Sequence, residues 1–174
     1  MDQDKKSIED GPEIQARKEK RMMSITPPAV ASSSPFASLR FEHAAIRVPD
    51  FETAVAWYTE KLDFRLVKNS PLNDKTFGFL IGAAEDAGFS IELIAGAGAE
   101  NRPAYDDLSS SLKLSGLHHL AFRVSSVDDT IAELQLRDVK IVSEPHNVPK
   151  LGLRVAFFAD PWGNLFEVIQ AMKH

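Results

Sequence analysis

The sequence predicts an α+β fold in which two βαβββ modules form a cupped mixed sheet with helices on its convex face. The main observation is a repeated motif, His-x-Ala-x-Arg-Val, which occurs at His43–Val48 and again 76 residues later at His119–Val124. A glutamate in an apolar segment follows each copy at almost the same distance, Glu92 after 49 residues and Glu167 after 48 residues. Matching motifs at matching spacing indicate a duplicated structural unit.

Composition places the chain among single-domain globular proteins. It has 174 residues, of which 44% are hydrophobic, and this is enough for one packed core. The absence of cysteine excludes disulfides, thiolate metal ligands and a cysteine nucleophile. A net charge of -5 argues against nucleic acid as a partner. Because no apolar stretch reaches the roughly 20 residues of a membrane span, no membrane association is expected.

Residues 1–38 are expected to be a disordered tail and linker. The first 21 residues contain six acidic and six basic side chains, and a segment rich in Pro and Ser follows them. Such a composition cannot bury enough apolar surface to fold alone. The tail also lacks the apolar stretch of a secretory signal, so a cytoplasmic location is expected. The ordered domain should comprise residues 39–174, with modules at 41–95 and 116–171.

The first module is predicted to contain a strand, a helix and three further strands. Residues 41–48 alternate between polar and apolar as a strand does. Asp50 is placed to cap a helix at 52–61, in which apolar side chains recur at helical spacing. Three strands are predicted to follow at 64–68, at 76–81 and around Glu92, with a turn at 82–88 before the last of them.

The second module repeats this order after a connection at 95–115 that is rich in Gly, Ala, Ser and Asp. A strand at 117–124 and a helix at 127–137 are predicted first. Three strands are predicted to follow at 140–143, 154–158 and 164–170. The last two are joined by the tight turn Asp160-Pro-Trp-Gly-Asn164, in which Pro suits the second position and Gly the fourth.

Strand alternation places the repeated polar residues on one face of each strand. His43 and Arg47 lie on the face opposite Ile46 and Val48, and the second copy of the motif has the same arrangement. Each glutamate likewise lies opposite its two apolar neighbours. The apolar rows can pack under the helices, and the polar residues then line a trough. Four inner strands are expected to contribute one ligand-type side chain each to this trough.

Four side chains of the trough, His43, Glu92, His119 and Glu167, form a candidate metal site. Two neutral imidazoles and two carboxylates would balance one divalent ion and leave positions for water or substrate. This mixed set suits zinc, nickel, cobalt, manganese or iron(II), and either glutamate could act as a general base beside the metal. Taken singly, such residues are more often structural histidines or solvent-facing glutamates. The duplication favours a metal site.

The two repeated arginines are candidate substrate-binding residues. Arg47 and Arg123 each follow the motif histidine by four residues and share its face. A guanidinium there could bind a carboxylate or another anion on a small-molecule substrate, or it could pair with acids at the rim of the trough. His118, next to His119, is expected to point to the opposite face as a hydrogen-bonded histidine under a helix.

These motifs resemble the vicinal oxygen chelate superfamily, which includes glyoxalase I, bleomycin-resistance-like proteins and ring-cleaving dioxygenases. The resemblance covers residues 41–171. It rests on His43-x-x-Ile-x-Val48 with Trp57-Tyr58, Ile91-Glu92-Leu93, Gly116-Leu-His-His119-Leu-Ala-Phe122 and Asp160-Pro-Trp-Gly-Asn-Leu-Phe-Glu167. It implies paired modules with a metal site and, in relatives of this size, a homodimer. Whether the ligands come from one chain or from two swapped modules of a dimer stays open.

The order of the four ligand-type residues looks most like bacterial glyoxalase I. This likeness implies a metal-dependent lyase or isomerase that acts on a glutathione hemithioacetal through a metal-bound enediolate. Glu167 and Glu92 would be the candidate bases, and Arg47 would contact glutathione. Gly96 stands where that family has a glutathione-binding asparagine, and Ser115 where some members have a basic residue. Another small anionic substrate therefore stays open.

Two other functions within the superfamily also stay open. An iron(II)-dependent ring-cleaving dioxygenase typically uses two histidines and one glutamate, so a set of four counts against it. A metal-free small-molecule-binding resistance protein usually lacks the ligand set altogether. The presence of all four ligand-type residues favours the lyase or isomerase.

Overall fold

The computed structural model describes residues 33–83, 89–100, 102–103 and 105–172. Residues 1–32 of the predicted tail, and residues 84–88 of the predicted turn, lie outside the described residues. The elements in chain order are β1 His43–Val48, α1 Phe51–Leu62, β2 Arg65–Leu72, β3 Lys75–Ile81, β4 Ser90–Ala95, α2 Leu108–Ser111, β5 His119–Arg123, α3 Val127–Leu136, β6 Lys140–Val148, β7 Leu153–Ala159 and β8 Leu165–Ala171.

The two longer helices begin at side-chain caps. The Asp50 carboxylate accepts a hydrogen bond from the backbone N–H of Thr53 at 2.8 Å, and the Ser126 hydroxyl accepts one from the backbone N–H of Asp129 at 3.2 Å. Each bond satisfies an N–H group that has no partner within the helix. Helix α1 ends at Asp63, whose φ of 55° lies in the left-handed region. Among the described residues, no helix has the length and apolar character needed to cross a membrane.

Strand β6 is longer than the sequence indicates, since a strand ending at residue 143 was predicted and β6 continues to Val148. The extension contains Pro145, which lacks the N–H group that a central strand needs. It is accommodated because β6 is an edge strand and its pairing with β7 shifts register between Ser143 and His146. Helix α2, inside the predicted connection at 95–115, was also not predicted.

Each module forms its own four-stranded mixed sheet. The strand order is β1-β4-β3-β2 in the first sheet and β5-β8-β7-β6 in the second. In both sheets the motif strand pairs in parallel with the glutamate strand, and the other neighbours are antiparallel. The predicted α+β fold of two βαβββ modules is confirmed. Within the described ranges, no strand of one sheet is hydrogen-bonded to a strand of the other.

The two modules share one hydrophobic core, to which both sheets and both longer helices contribute buried side chains. Tyr58 of α1 is fully buried. Its ring lies 6.3 Å, between centroids, from Trp162 and from Phe166 of the second module. Its hydroxyl donates a hydrogen bond of 2.8 Å to the buried carboxylate of Asp160. This directional bond inside an apolar contact helps to define how the modules sit against each other.

Arg137 joins the C-terminal ends of α1 and α3. Its guanidinium donates to the carboxylate of Asp63 at 2.8 Å and to the carbonyl oxygens of Glu60 and Lys61 at 3.2 and 3.4 Å. A further bond of 2.7 Å reaches Glu133 within α3. Because carbonyl groups at a helix C-terminus carry partial negative charge, a cation at this position stabilises the helix ends.

Candidate metal-binding site

The first pair of candidate ligands consists of His43 on β1 and Glu92 on β4. Ala45 is the register partner of Glu92 in the parallel β1–β4 ladder, so His43, two residues earlier, lies diagonally from Glu92 on the same face. The His43 Nε2 and Glu92 Oε2 atoms are 3.5 Å apart. The His43 side chain is 36% exposed and the Glu92 side chain 14%, so the pair is partly enclosed and still reachable from solvent.

The second pair of candidate ligands, His119 on β5 and Glu167 on β8, has the same construction. Ala121 is the register partner of Glu167, and His119 lies diagonally from the glutamate. The His119 Nε2 and Glu167 Oε2 atoms are 3.2 Å apart, with side-chain exposures of 33% and 17%. The duplication visible in the sequence therefore extends to strand register, side-chain direction and atomic separation.

A phenylalanine completes each pair, and the sequence did not identify it. Phe79 on β3 is the register partner of Glu92 and Phe157 on β7 that of Glu167. Their rings meet the imidazoles of His43 and His119 edge-on, with centroids 5.6 and 5.5 Å apart. The correspondence between these two phenylalanines is not evident from the sequence, because Phe79 follows His43 by 36 residues whereas Phe157 follows His119 by 38.

The two pairs are separate half-sites within one chain. We call His43 with Glu92 the first half-site and His119 with Glu167 the second. In the part of the chain that the structure describes, no three His, Asp or Glu side chains come together as the ligands of one ion. The trough expected to collect all four side chains is thus divided, in one chain, between the two sheets.

Each motif histidine also has a partner at its second ring nitrogen, supplied by the residue directly before it. The Nδ1 atom of His43 is hydrogen-bonded to the carboxylate of Glu42, and this bond raises the pKa of His43 above its ordinary value. The Nδ1 atom of His119 is 2.8 Å from Nδ1 of His118. In both half-sites the Nε2 atom is therefore the one that faces the glutamate.

The half-sites fit the coordination chemistry of a divalent ion. Two donor atoms that each lie roughly 2.1 Å from one ion are roughly 3.0 Å apart at a right angle and roughly 3.4 Å apart at the tetrahedral angle. The Nε2–Oε2 separations of 3.5 and 3.2 Å lie close to these values. A neutral imidazole and a carboxylate are both ligands of zinc and related metals, and a hydrogen bond at Nδ1 is the usual way to orient such an imidazole.

The guanidinium of Arg47 is held by backbone carbonyl oxygens. Its Nη1 donates to Val48 and, at 2.9 Å, to Ile94. Its Nη2 donates to Gly96 at 2.6 Å and to Ala97 at 2.8 Å. These four contacts match the four N–H groups of the terminal nitrogens. An anion could therefore bind Arg47 through those nitrogens only by displacing some of them.

Arg123 has a different environment from Arg47, although the two occupy equivalent positions in the repeat. Its side chain is exposed, and among the described residues it makes no hydrogen bond or ion pair. It lines a cavity of about 530 Å3 together with apolar side chains that include Phe64, Leu80 and Phe89. Of the two arginines predicted to bind substrate, Arg123 is the one whose guanidinium has no partner among the described residues.

Arg47 and His119, from different modules, line a second cavity of about 350 Å3. A third cavity, of about 470 Å3, lies beside Trp57 and Trp162 and includes none of the four ligand-type residues. The cavities that contain predicted site residues are thus the two that border β5.

A model of the Glyoxalase/Bleomycin resistance protein/Dioxygenase superfamily matches residues 40–168. The chain is 26% identical over 133 residues to a lactoylglutathione lyase of Arabidopsis thaliana. The aligned segment covers 75% of this chain and 44% of that protein. It is 28% identical over 134 residues to the mitochondrial methylmalonyl-CoA epimerase of Homo sapiens, covering 76% of this chain and 74% of that protein. The chain thus spans less than half the length of the plant relative.

Solved structures show the same fold. The crystal structure of glyoxalase I from Zea mays superimposes with a TM-score of 0.61 and 28% identity, covering 77% of this chain and 45% of that chain. A glyoxalase family protein from Enterococcus faecalis, 23% identical, superimposes with a TM-score of 0.60 and covers 74% of this chain and 94% of that chain. The second comparison concerns the fold alone.

Proposed function

The chain belongs to the glyoxalase/bleomycin resistance protein/dioxygenase superfamily, and we propose that it is a divalent-metal-dependent lyase or isomerase acting on a small anionic substrate. The observation that carries this proposal is the pair of matching half-sites, with Nε2–Oε2 separations of 3.5 and 3.2 Å. A binding protein without metal would have no need for the same His–Glu pair in both modules. The relatives named as a lyase and as an epimerase are consistent with this class of function.

The half-sites would hold the ion through His43 and Glu92 on one side and His119 and Glu167 on the other. Two carboxylates and two neutral imidazoles compensate the charge of a divalent zinc, nickel, cobalt, manganese or iron ion. When bound, the ion would act as a Lewis acid that polarises oxygen atoms of the substrate.

The protein's own residues would then move the proton. A carboxylate of Glu167 or Glu92 would accept a proton from a substrate carbon next to a carbonyl. In an isomerisation the same group would return the proton to the neighbouring carbon, and in an epimerisation the other glutamate would supply a proton on the opposite face. Low exposure of both glutamates, 17% and 14%, limits competition from water. The exposed guanidinium of Arg123 would bind the anionic group of the substrate, and a glutathione hemithioacetal is one such substrate.

We also propose that the complete site forms between two chains of a homodimer. A first half-site alone offers two protein ligands, and so does a second half-site, whereas a stable catalytic site usually has three or more. A second copy related by a twofold axis could bring the first half-site of one chain to the second half-site of the other, twice per dimer.

Metal analysis of designed variants tests both proposals. The first variant carries His43→Ala with Glu92→Gln, and the second carries His119→Ala with Glu167→Gln. Wild-type dimer is expected to bind two ions, and neither variant homodimer should bind any. A heterodimer of the two variants, purified through different tags, should regain one ion. Of its two composite sites, one combines both intact half-sites and the other combines both mutated ones. If the heterodimer binds no ion while the wild type does, the site lies within one chain.

Turnover of the hemithioacetal of methylglyoxal and glutathione separates the enzymatic possibilities. Activity that follows metal content through the variants is expected, with Glu60→Gln as the control because Glu60 is an exposed glutamate of α1. Stoichiometric metal without turnover would rule out the glyoxalase reaction and keep the metal site. Oxygen-dependent cleavage of a catechol by the iron-loaded protein would indicate the dioxygenase instead. Small-molecule binding with no metal would indicate the resistance protein.

A further inference from the structure

We propose that His118 is a positioning residue that determines which ring nitrogen of His119 carries a proton. His118 is not one of the four ligand-type residues, and the equivalent position of the first module is occupied by a glutamate, Glu42. The inference rests on the proposed function in one respect, namely that His119 binds metal. It is carried by a chain of hydrogen bonds that begins in helix α2.

The first link of this chain fixes the direction of all the others. The Ser111 hydroxyl donates its single proton to the carbonyl oxygen of Leu108 at 2.7 Å. The same oxygen, Oγ of Ser111, lies 3.1 Å from Nε2 of His118. Because the hydroxyl proton is already used, Ser111 must accept the second bond, and Nε2 of His118 must carry the proton.

The remaining links follow from the proton count of an imidazole. A neutral His118 that carries its proton on Nε2 has an acceptor lone pair on Nδ1. The Nδ1 atom of His119, 2.8 Å away, must then donate. This leaves Nε2 of His119 as the atom that faces Glu167 at 3.2 Å. The Nδ1–H group of His119 donates this bond in both the neutral and the protonated imidazole. In the neutral form Nε2 carries no proton and is available as a metal ligand.

The Ser111 end of this chain of hydrogen bonds has little contact with water. Ser111 is 2% exposed, and the cavity shared by Ser111 and His118 has a volume of about 10 Å3. This is at the lower limit of the space that one water molecule needs. Helix α2 is itself held by a capping box between Asp107 and Ser110. Few alternative partners can therefore replace Ser111 at Nε2 of His118.

The hydrogen-bond partners of the two motif histidines therefore differ in how easily water can replace them. Glu42, the partner of His43, has a side chain that is 75% exposed, so water can take its place. His118 is linked to a buried hydroxyl instead. We expect loss of the partner to disturb His119 far more than His43.

The tautomer of His119 can be measured directly. Long-range 1H–15N correlation spectra of the metal-free protein at about pH 9, where imidazoles are neutral, show which nitrogen is protonated. Wild-type His119 should carry its proton on Nδ1. In His118→Leu the two tautomers should mix. His118→Asn should keep the wild-type tautomer, because the Asn side-chain oxygen lies near the position of the lost Nδ1 acceptor. Ser111→Ala should give an intermediate result, since His118 is then free to change its own tautomer.

Metal affinity provides the second measurement. Titration with zinc should show a Kd increased by about 10- to 100-fold in His118→Leu and restored to within a few-fold in His118→Asn. Glu42→Leu is the matched control and should change the Kd less than His118→Leu does. An Nδ1-protonated His119 in His118→Leu, or an unchanged Kd in that variant, would overturn the role of His118 alone. Failure of the wild type to bind zinc, nickel, cobalt, manganese or iron would overturn the metal site as well.

Discussion

Replacing Tyr58 with Phe should remove one buried hydrogen bond between the modules and leave the surrounding packing in place. The Tyr58 hydroxyl donates to Asp160 at 2.8 Å. Tyr58 is fully buried, and Asp160 is 4% exposed. The ring contacts with Phe64, Trp162 and Phe166 do not involve the hydroxyl, so a Phe ring retains them. The variant therefore isolates the polar contact.

The expected loss follows from what remains at Asp160. Hydrogen bonds to charged groups contribute about 1.5–3 kcal/mol. After the substitution, the Asp160 carboxylate still accepts bonds from the backbone N–H groups of Trp162 and Asn164 and from the side-chain amide of Asn164. Because three of four partners persist, we expect a loss of about 2 kcal/mol. For a domain of this size that corresponds to a decrease in Tm of about 4–8 °C.

Tyr105→Phe is the matched control, because the hydroxyl of Tyr105 donates to the same turn. Its acceptor is the uncharged carbonyl of Gly163 at 3.1 Å, and the bond is only partly buried. The expected loss is about 1 kcal/mol or less. Urea unfolding at one fixed protein concentration measures both losses, with an unchanged slope as the condition for comparison. Equal losses in the two variants, or a loss below about 0.5 kcal/mol in Tyr58→Phe, would contradict this account of the contact.

The other predictions concern pH and substrate binding. Burial raises the pKa of Asp160 above its ordinary value of 3.8, so folding favours the protonated carboxyl. We therefore compare the free energies of unfolding of the wild type and of Asp160→Asn. The wild-type value minus the variant value should be highest below pH 3.8 and should fall as the pH rises through the raised pKa of Asp160. A difference that does not vary with pH would contradict this. Arg123→Gln should raise the KM for the hemithioacetal by about 10-fold or more with metal content unchanged; a KM equal to that of the wild type would remove Arg123 from the substrate site.

The sequence predicts the faces on which the candidate ligands lie, because side-chain direction along a strand follows a local rule. Alternation along a strand determines that His43 and Arg47 share a face, and the same rule places His119 with Arg123. The parallel pairing of the motif strand with the glutamate strand is then the same in both modules. A repeat in the sequence is therefore a repeat in the structure.

Interactions with distant segments were not predictable in this way. Arg47 meets the carbonyl oxygens of residues 94, 96 and 97 only because β4 pairs beside β1. His118 was expected to be a hydrogen-bonded histidine on the face opposite His119. The structure confirms the hydrogen bonding, but one of the two partners is His119 itself, and β5 begins only at His119. The other partner, Ser111, lies in a helix of four residues, too short to give a periodic signal.

The sequence by itself determined the strand faces on which the residues of the two His–Glu pairs lie, because side-chain direction in a strand has a period of two residues. Only the tertiary structure decided where the pairs stand relative to each other. The position of one module against the other depends on contacts between residues far apart in the chain, such as the bond between Tyr58 and Asp160. Within the described residues the two half-sites do not come together as the ligands of one ion. The periodicity of each strand contains no information about that packing.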